Sequence, residues 1–333
     1  MRTRGITYDT GWALGPGPTT YEPFDPEAVR QDLRVIRDEL HCTAVRITGS
    51  RPERLEVAAR HAADAGLEVW FSPFTNDLTT EELLDVLADC AERAERLRRD
   101  GAEVVLLTGA ELTLFTRGFL PGDTLDERLA LLSRPDELRE VFPTIPPRLN
   151  AFLAAAVARV RERFGGRVSY AALPSERVDW APFDVIGVDL YRSKENADIY
   201  EHALRVLAEQ GKPVAVTEFG CTTYRGAADL GARGAFLVEW DGTQGRELTR
   251  ELERDEQEQA RYLRELVEVY EREPVDAAFW CTFAARNLPH RPDGGRADLD
   301  LASYGLVKVL DSGRWEPKAA FHAMAEVYAP RPD

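Results

Sequence analysis

Two glutamates stand out because each closes an apolar run. Glu218 follows the apolar run in PVAVTEFGC and Glu111 ends EVVLLTGAE. A carboxylate at the end of a strongly apolar strand must be paired or put to use, since burying it bare is costly. For Glu111 taken alone, a solvated loop position is the plainer alternative. If both runs are strands on opposing sides of one barrel mouth, the two carboxylates can flank a glycosidic bond. Cleavage with retention needs one carboxylate to attack the anomeric carbon and one acid to protonate the leaving oxygen, roughly 5–5.5 Å apart.

The elements needed to position such a pair are legible along the chain. Short β-branched runs recur at Gly5–Trp12, Thr43–Ser50, Glu68–Thr75, Glu103–Glu111, Arg167–Ser175, Asp184–Arg192, Pro213–Cys221 and Val275–Ala284. The interior runs are apolar on both faces, as buried parallel strands are. Amphipathic segments such as PEAVRQDLRVIRDEL, TEELLDVLADCAERAERLRRDG and RDEQEQARYLRELVEVYERE lie between them. Several stop at a glycine just before the next strand. Eight strands alternating with helices predict one (β/α)8 TIM barrel over residues 1–333, and no GxGxxG or Walker loop follows the first strand. Two connections, after the fourth and seventh strands, are longer than a helix crossover. They leave the strand ends where barrel enzymes build their sites.

In a barrel, those ends form a ring. In order they offer Tyr8, Asp9 and Trp12; Arg46; Asn76 and Asp77; Glu111; Ser175 and Glu176; Asp189, Tyr191 and Arg192; Glu218; and Trp280 with Thr282.

VTEFG at the seventh strand resembles the nucleophile segment of clan GH-A glycoside hydrolases, and LLTGAEL at the fourth is similar to their acid/base segment. TAVRITG resembles the second-strand segment of the cellulase-like families, and ASYGLVKVLDSGRWEPKAAFHAMAEVY is similar to their common ending. The resemblance implies a retaining glycoside hydrolase with Glu218 as nucleophile and Glu111 as acid/base. It implies that Arg46 holds the nucleophile ionised, that Tyr191 hydrogen-bonds it, and that Trp280 forms a stacking floor for the sugar. Packing or ion pairing is the plainer alternative for each of the last three. The clan usually has Asn immediately before the acid/base, contacting the sugar 2-hydroxyl, but here Ala110 stands there. Asn76 or Asp9 is expected to take over, with Trp12 beside them facing the substrate.

The bulk of the sequence narrows the partners. A net charge of −16 argues against a nucleic-acid or acidic-membrane partner. No run reads as a membrane span or a secretory signal. Cys42, Cys90, Cys221 and Cys281 show no metal-type spacing and read as reduced thiols of a cytoplasmic protein. No metal or cofactor is expected. The five histidines avoid the strand ends, and no strand interior carries the lysine of a Schiff-base enzyme. Two rivals remain: a carboxylate-metal sugar isomerase using Glu111, Asp189 and Glu218, and a glycan-binding or defence-related barrel without turnover. The expected ligand is a small carbohydrate or glycoside, and the sequence carries no signal for an oligomeric state.

Overall fold

The structure is a computed structural model that describes residues 1–13, 17–241 and 244–330. Gly242 and Thr243 of the expected EWDGTQG loop, and the last three residues of the 1–333 span, lie outside the described residues.

All eight expected strands form. They are β1 (Thr3–Asp9), β2 (Ala44–Gly49), β3 (Glu68–Pro73), β4 (Val104–Ala110), β5 (Arg167–Ala171), β6 (Ile186–Asp189), β7 (Val214–Phe219) and β8 (Ala277–Trp280). Every ladder between neighbours is parallel, and β1 pairs with both β2 and β8. A parallel bridge between Ala172 and Val188 joins β5 to β6. The bonds Ala172 N–H to Gly187 O (3.0 Å) and Asp189 N–H to Ala172 O (2.9 Å) complete that seam. The chain is a (β/α)8 barrel.

The helices that return the chain are α1 (Pro26–Asp38), α2 (Pro52–Asp64), α3 (Thr80–Arg99), α4 (Ile145–Arg161), α5 (Tyr200–Ala208), α6 (Glu256–Arg272) and α7 (Ala319–Tyr328). Local chemistry starts them. Asp25 caps α1, Asp255 caps α6, and Thr79 with Glu82 makes a reciprocal capping box for α3. The barrel departs from strict alternation at one step. Between β5 and β6 there is only a 3-10 turn, Pro174–Glu176, so that crossover has no α-helix.

Alternation along the strands sorts their side chains into two layers. Ala44, Trp70, Val105, Leu107, Ala171, Ala215, Ala277 and Phe279 fill the barrel. Ile6, Val45, Ile47, Val69, Phe71, Leu106, Val168, Val188 and Val216 face outward and pack with helix residues such as Leu33, Leu87, Leu153 and Leu263.

One expectation needs correcting here. The stretch Pro135–Arg161 does have the length and hydropathy of a membrane span. It consists of a short helix (Pro135–Val141), a 3-10 turn and α4, and α4 buries Leu149, Leu153, Ala156 and Val160 in the core. Its apolar face is therefore the inner face of a barrel helix.

Candidate active site

Simple alternation would send Glu218 the wrong way. Val214 and Val216 face outward and Ala215 inward, so an undisturbed β7 would turn Glu218 outward with Val216. Instead β7 carries an extra residue. Val216 and Phe219 sit opposite Ala278 and Trp280 of β8, while Val216 and Glu218 sit opposite the consecutive Val188 and Asp189 of β6. Such a bulge re-aims side chains. Thr217 and Glu218 both reach the interior, and Phe219 returns to the outer layer. β4 has the same irregularity: Leu107 and Ala110 sit opposite Ser169 and Ala171. Gly109 takes it up at φ 127, where an added Cβ would meet Leu112 at 2.7 Å. Glu111 follows in the left-handed region at φ 47, an uncommon and costly conformation for a residue other than glycine.

Arg46 organises the nucleophile side of the mouth. Its side chain is wholly buried. Nη1 donates to Glu218 Oε1 at 2.7 Å and to the Thr217 carbonyl at 3.0 Å, and Nε donates to Ser72 Oγ at 3.1 Å. The Tyr191 hydroxyl donates to the other oxygen of Glu218 at 2.9 Å. Both oxygens of Glu218 thus accept hydrogen bonds, one of them charge-assisted by the guanidinium.

Across the mouth, one oxygen each of Glu111, Glu218 and Asp189 lie within 4.8 Å of one another. Asp189 is buried, accepts from Thr217 Oγ1 at 2.7 Å, and has an oxygen 3.6 Å from Arg46 Nη1. Burial, then the charges of Asp189, Glu218 and Glu176, push the Glu111 carboxyl well above the usual carboxylate range. Burial and Glu218 do the same to Asp189. The arrangement supplies one carboxylate held by a guanidinium and a phenol, facing one that favours its proton. The three carboxylates are the one group among the described residues spaced to hold a cation. Arg46 already brings positive charge to two of them, so any cation would compete with the guanidinium.

The turn that carries Glu111 is clamped at both ends. The buried Glu176 accepts from Thr113 N (3.1 Å), Thr113 Oγ1 (2.8 Å) and the Tyr170 hydroxyl, which itself accepts from Leu112 N at 2.8 Å. At the far end, the buried Arg128 donates to the Leu114 carbonyl at 2.5 Å and pairs with Asp77.

The structure therefore brings Glu111, Glu218, Arg46 and Tyr191 together as the sequence suggests. Trp280 is a correction. It has 0% exposure, stands outside the barrel against Phe219 and Tyr262, and donates Nε1–H to the Tyr304 carbonyl at 2.9 Å. The cause is alternation: Ala277 and Phe279 point inward, so Trp280 points toward α6. Asp9 is spent on its own loop, accepting from Gly11 N (2.9 Å) and Thr20 Oγ1 (2.7 Å). Asn76 is buried, with Nδ2 donating to Asp77 at 3.0 Å and Oδ1 unpartnered among the described residues. Trp12 is partly exposed and packs on Phe74 and Phe115.

Two residues at the site, Cys281 and Tyr304, escaped the sequence reading as site residues. Cys281 lies near enough for the charge of Glu218, after burial, to raise its thiol pKa, and the Tyr304 ring packs at 5.5 Å from that of Tyr191. Nothing in their local sequence marks either. The long loop after β7 forms a hairpin of Val238–Asp241 with Gln244–Leu248, and displays Phe236 (68% exposed) and Trp240 (48%).

No family model matches the chain, and no curated protein matches it by sequence. Solved structures do match over nearly its full length. A GH113 β-1,4-mannanase complex superposes with a TM-score of 0.66 at 17% identity, covering 99% of this chain and 100% of the mannanase. The GH113 β-mannanase AaManA of Alicyclobacillus acidocaldarius, in complex with ManMIm, gives 0.63 at 18%, covering 98% and 97%. A structure from a study of two fungal β-1,4-galactanases gives 0.54 at 12%, covering 96% and 98%. The chain has the fold of these glycosidases. The resemblance seen in the motifs thus agrees with the glycosidase barrel at the level of fold.

Proposed function

We propose that the protein is a retaining glycoside hydrolase acting on a β-linked glycoside or oligosaccharide. One observation carries this reading: a carboxyl oxygen of Glu111 lies within 4.8 Å of one of Glu218. A closest approach of that order suits a retaining pair, whose carboxyl groups stand roughly 5–5.5 Å apart. Glu218 attacks the anomeric carbon while Glu111 gives its proton to the leaving oxygen. Water, giving a proton to the now-ionised Glu111, then attacks the anomeric carbon, breaks its bond to Glu218 and releases the sugar. The mannanase and galactanase named among the similar folds make β-1,4-linked mannosides and galactosides the first substrates to try.

The test uses a panel of aryl β-glycosides and β-1,4-oligosaccharides together with a mechanism-based fluorosugar. Turnover by the native chain, its loss in Glu218→Gln without unfolding, and fluorosugar label on Glu218 are the expected results. Label on another residue, or full activity in the variant, overturns the assignment.

The three-carboxylate cluster favours a second reading, a metal-dependent sugar isomerase. Activity abolished by a chelator and restored by a divalent cation would select it over hydrolysis.

A further inference from the structure

With Trp280 turned into the outer layer, three other rings stand together at the mouth. Trp12 follows β1, Phe74 follows β3, and Phe115 ends the helical turn that begins after Glu111. Their centroids lie 6.0 Å (Trp12–Phe74), 6.1 Å (Trp12–Phe115) and 4.7 Å (Phe74–Phe115) apart, and all three are partly exposed. The Phe115 N–H bonds the Glu111 carbonyl at 3.1 Å. The Phe115 ring thus hangs from the turn that carries Glu111, and Trp12 and Phe74 follow the C-terminal ends of β1 and β3 at the same mouth.

The cluster is held rigidly. Thr20 accepts from Trp12 N through its hydroxyl and donates its own N–H to the Trp12 carbonyl, both at 2.8 Å, while that hydroxyl is anchored on Asp9. Arg128 and the Asp77 N–H, which bonds the Phe115 carbonyl at 2.9 Å, fix the other side. Two polar atoms at the cluster lack partners among the described residues: Nε1 of Trp12, a donor, and Oδ1 of Asn76, an acceptor. Buried polar groups normally find partners. Neither atom is exposed, so recognition falls to the rings, whose partly exposed apolar faces suit the C–H face of a pyranose. The acidic net charge and the three carboxylates nearby favour a neutral sugar over a uronate.

We propose that Trp12, Phe74 and Phe115 form a subsite for one neutral sugar unit beyond the bond that is cleaved. The site then favours an oligosaccharide over a single-sugar glycoside. This rests on the glycosidase reading of Glu111 and Glu218.

Two measurements on the full chain test it. In the Glu218→Gln background, binding of β-1,4-mannotetraose and β-1,4-galactotetraose is followed by calorimetry. Trp12→Ala is expected to weaken the better ligand about tenfold, and Trp12→Phe, which keeps a ring, to recover most of the loss. In the active chain, Trp12→Ala and Phe115→Ala are expected to lower the ratio of kcat/KM for tetrasaccharide to that for aryl monoglycoside about tenfold. An unchanged ratio with turnover intact overturns the subsite and leaves the hydrolase reading standing. Ring-dependent binding without turnover by the native chain does the reverse. No binding of either tetrasaccharide overturns the subsite for these sugars.

Discussion

Arg46 and Glu218 meet inside the barrel mouth, Nη1 to Oε1 at 2.7 Å, although 172 residues separate them in the chain. The same nitrogen also holds the carbonyl of Thr217, the bulged residue just before Glu218. The guanidinium therefore holds both the carboxylate and the backbone that aims it. Replacing Arg46 by Met is expected to lower kcat/KM by at least about a hundredfold and also to destabilise the fold, because it leaves the buried Asp189 and the partly buried Glu218 without their cation. Steady-state kinetics and chemical unfolding of the same variant check both parts.

Glu111→Gln removes the proton donor. The loss is expected to be about 10²–10⁴-fold on substrates with poor leaving groups. It should be far smaller on a dinitrophenyl glycoside, whose leaving oxygen needs no proton. Equal losses on both substrate types would remove Glu111 from the acid role.

The pH dependence has a defined sign. Burial and its acidic neighbours raise the Glu111 carboxyl, so it keeps its proton toward neutral pH and activity falls as pH rises through that raised value. Asp189 contributes to the rise, so Asp189→Asn is expected to move the alkaline limb of kcat/KM to lower pH. An unmoved limb would mean that Asp189 carries no charge in the working range.

Stability has the linked sign. A carboxyl whose folded pKa lies above its unfolded value loses stability for the fold as pH rises through that folded value. Glu111→Gln removes this penalty. The variant is expected to match the native Tm at acidic pH and to exceed it by a few degrees at alkaline pH. A Tm difference independent of pH counts against the shift.

Glu176 and Trp280 test what surrounds the site. Glu176→Gln puts an amide donor against groups that now donate to a carboxylate. It is expected to cost about 1–3 kcal/mol of stability and to lower kcat more than it changes KM, because the turn after Glu111 loosens. Trp280→Ala is expected to cost about 3–5 kcal/mol, as for any large core residue. Native stability with a raised KM would instead return Trp280 to the sugar.

The strands, most helices and the two glutamates are legible in the sequence because each follows from local pattern. Apolar runs fix β4 and β7, caps and amphipathic spacing fix the helices, and VTEFG and TGAEL mark the chemistry. Arg46 is marked by the TAVRITG resemblance, but only the barrel shows that it faces inward, on the same side as Ala44 two residues before it. The directions of Glu218 and Glu111 are not local. Each depends on one extra residue in its strand, and an extra residue is defined only against the neighbouring strands that register it. Trp280 shows the converse. Nothing in its own segment says which face of β8 is inside, and the packing of Phe279 against Trp70 within the barrel decides that it is not the face bearing Trp280. Sequence set which residue types reach the strand ends. Closure of the barrel set which of them point into the mouth, because a side chain's inward or outward sense exists only once the sheet has curled around a centre.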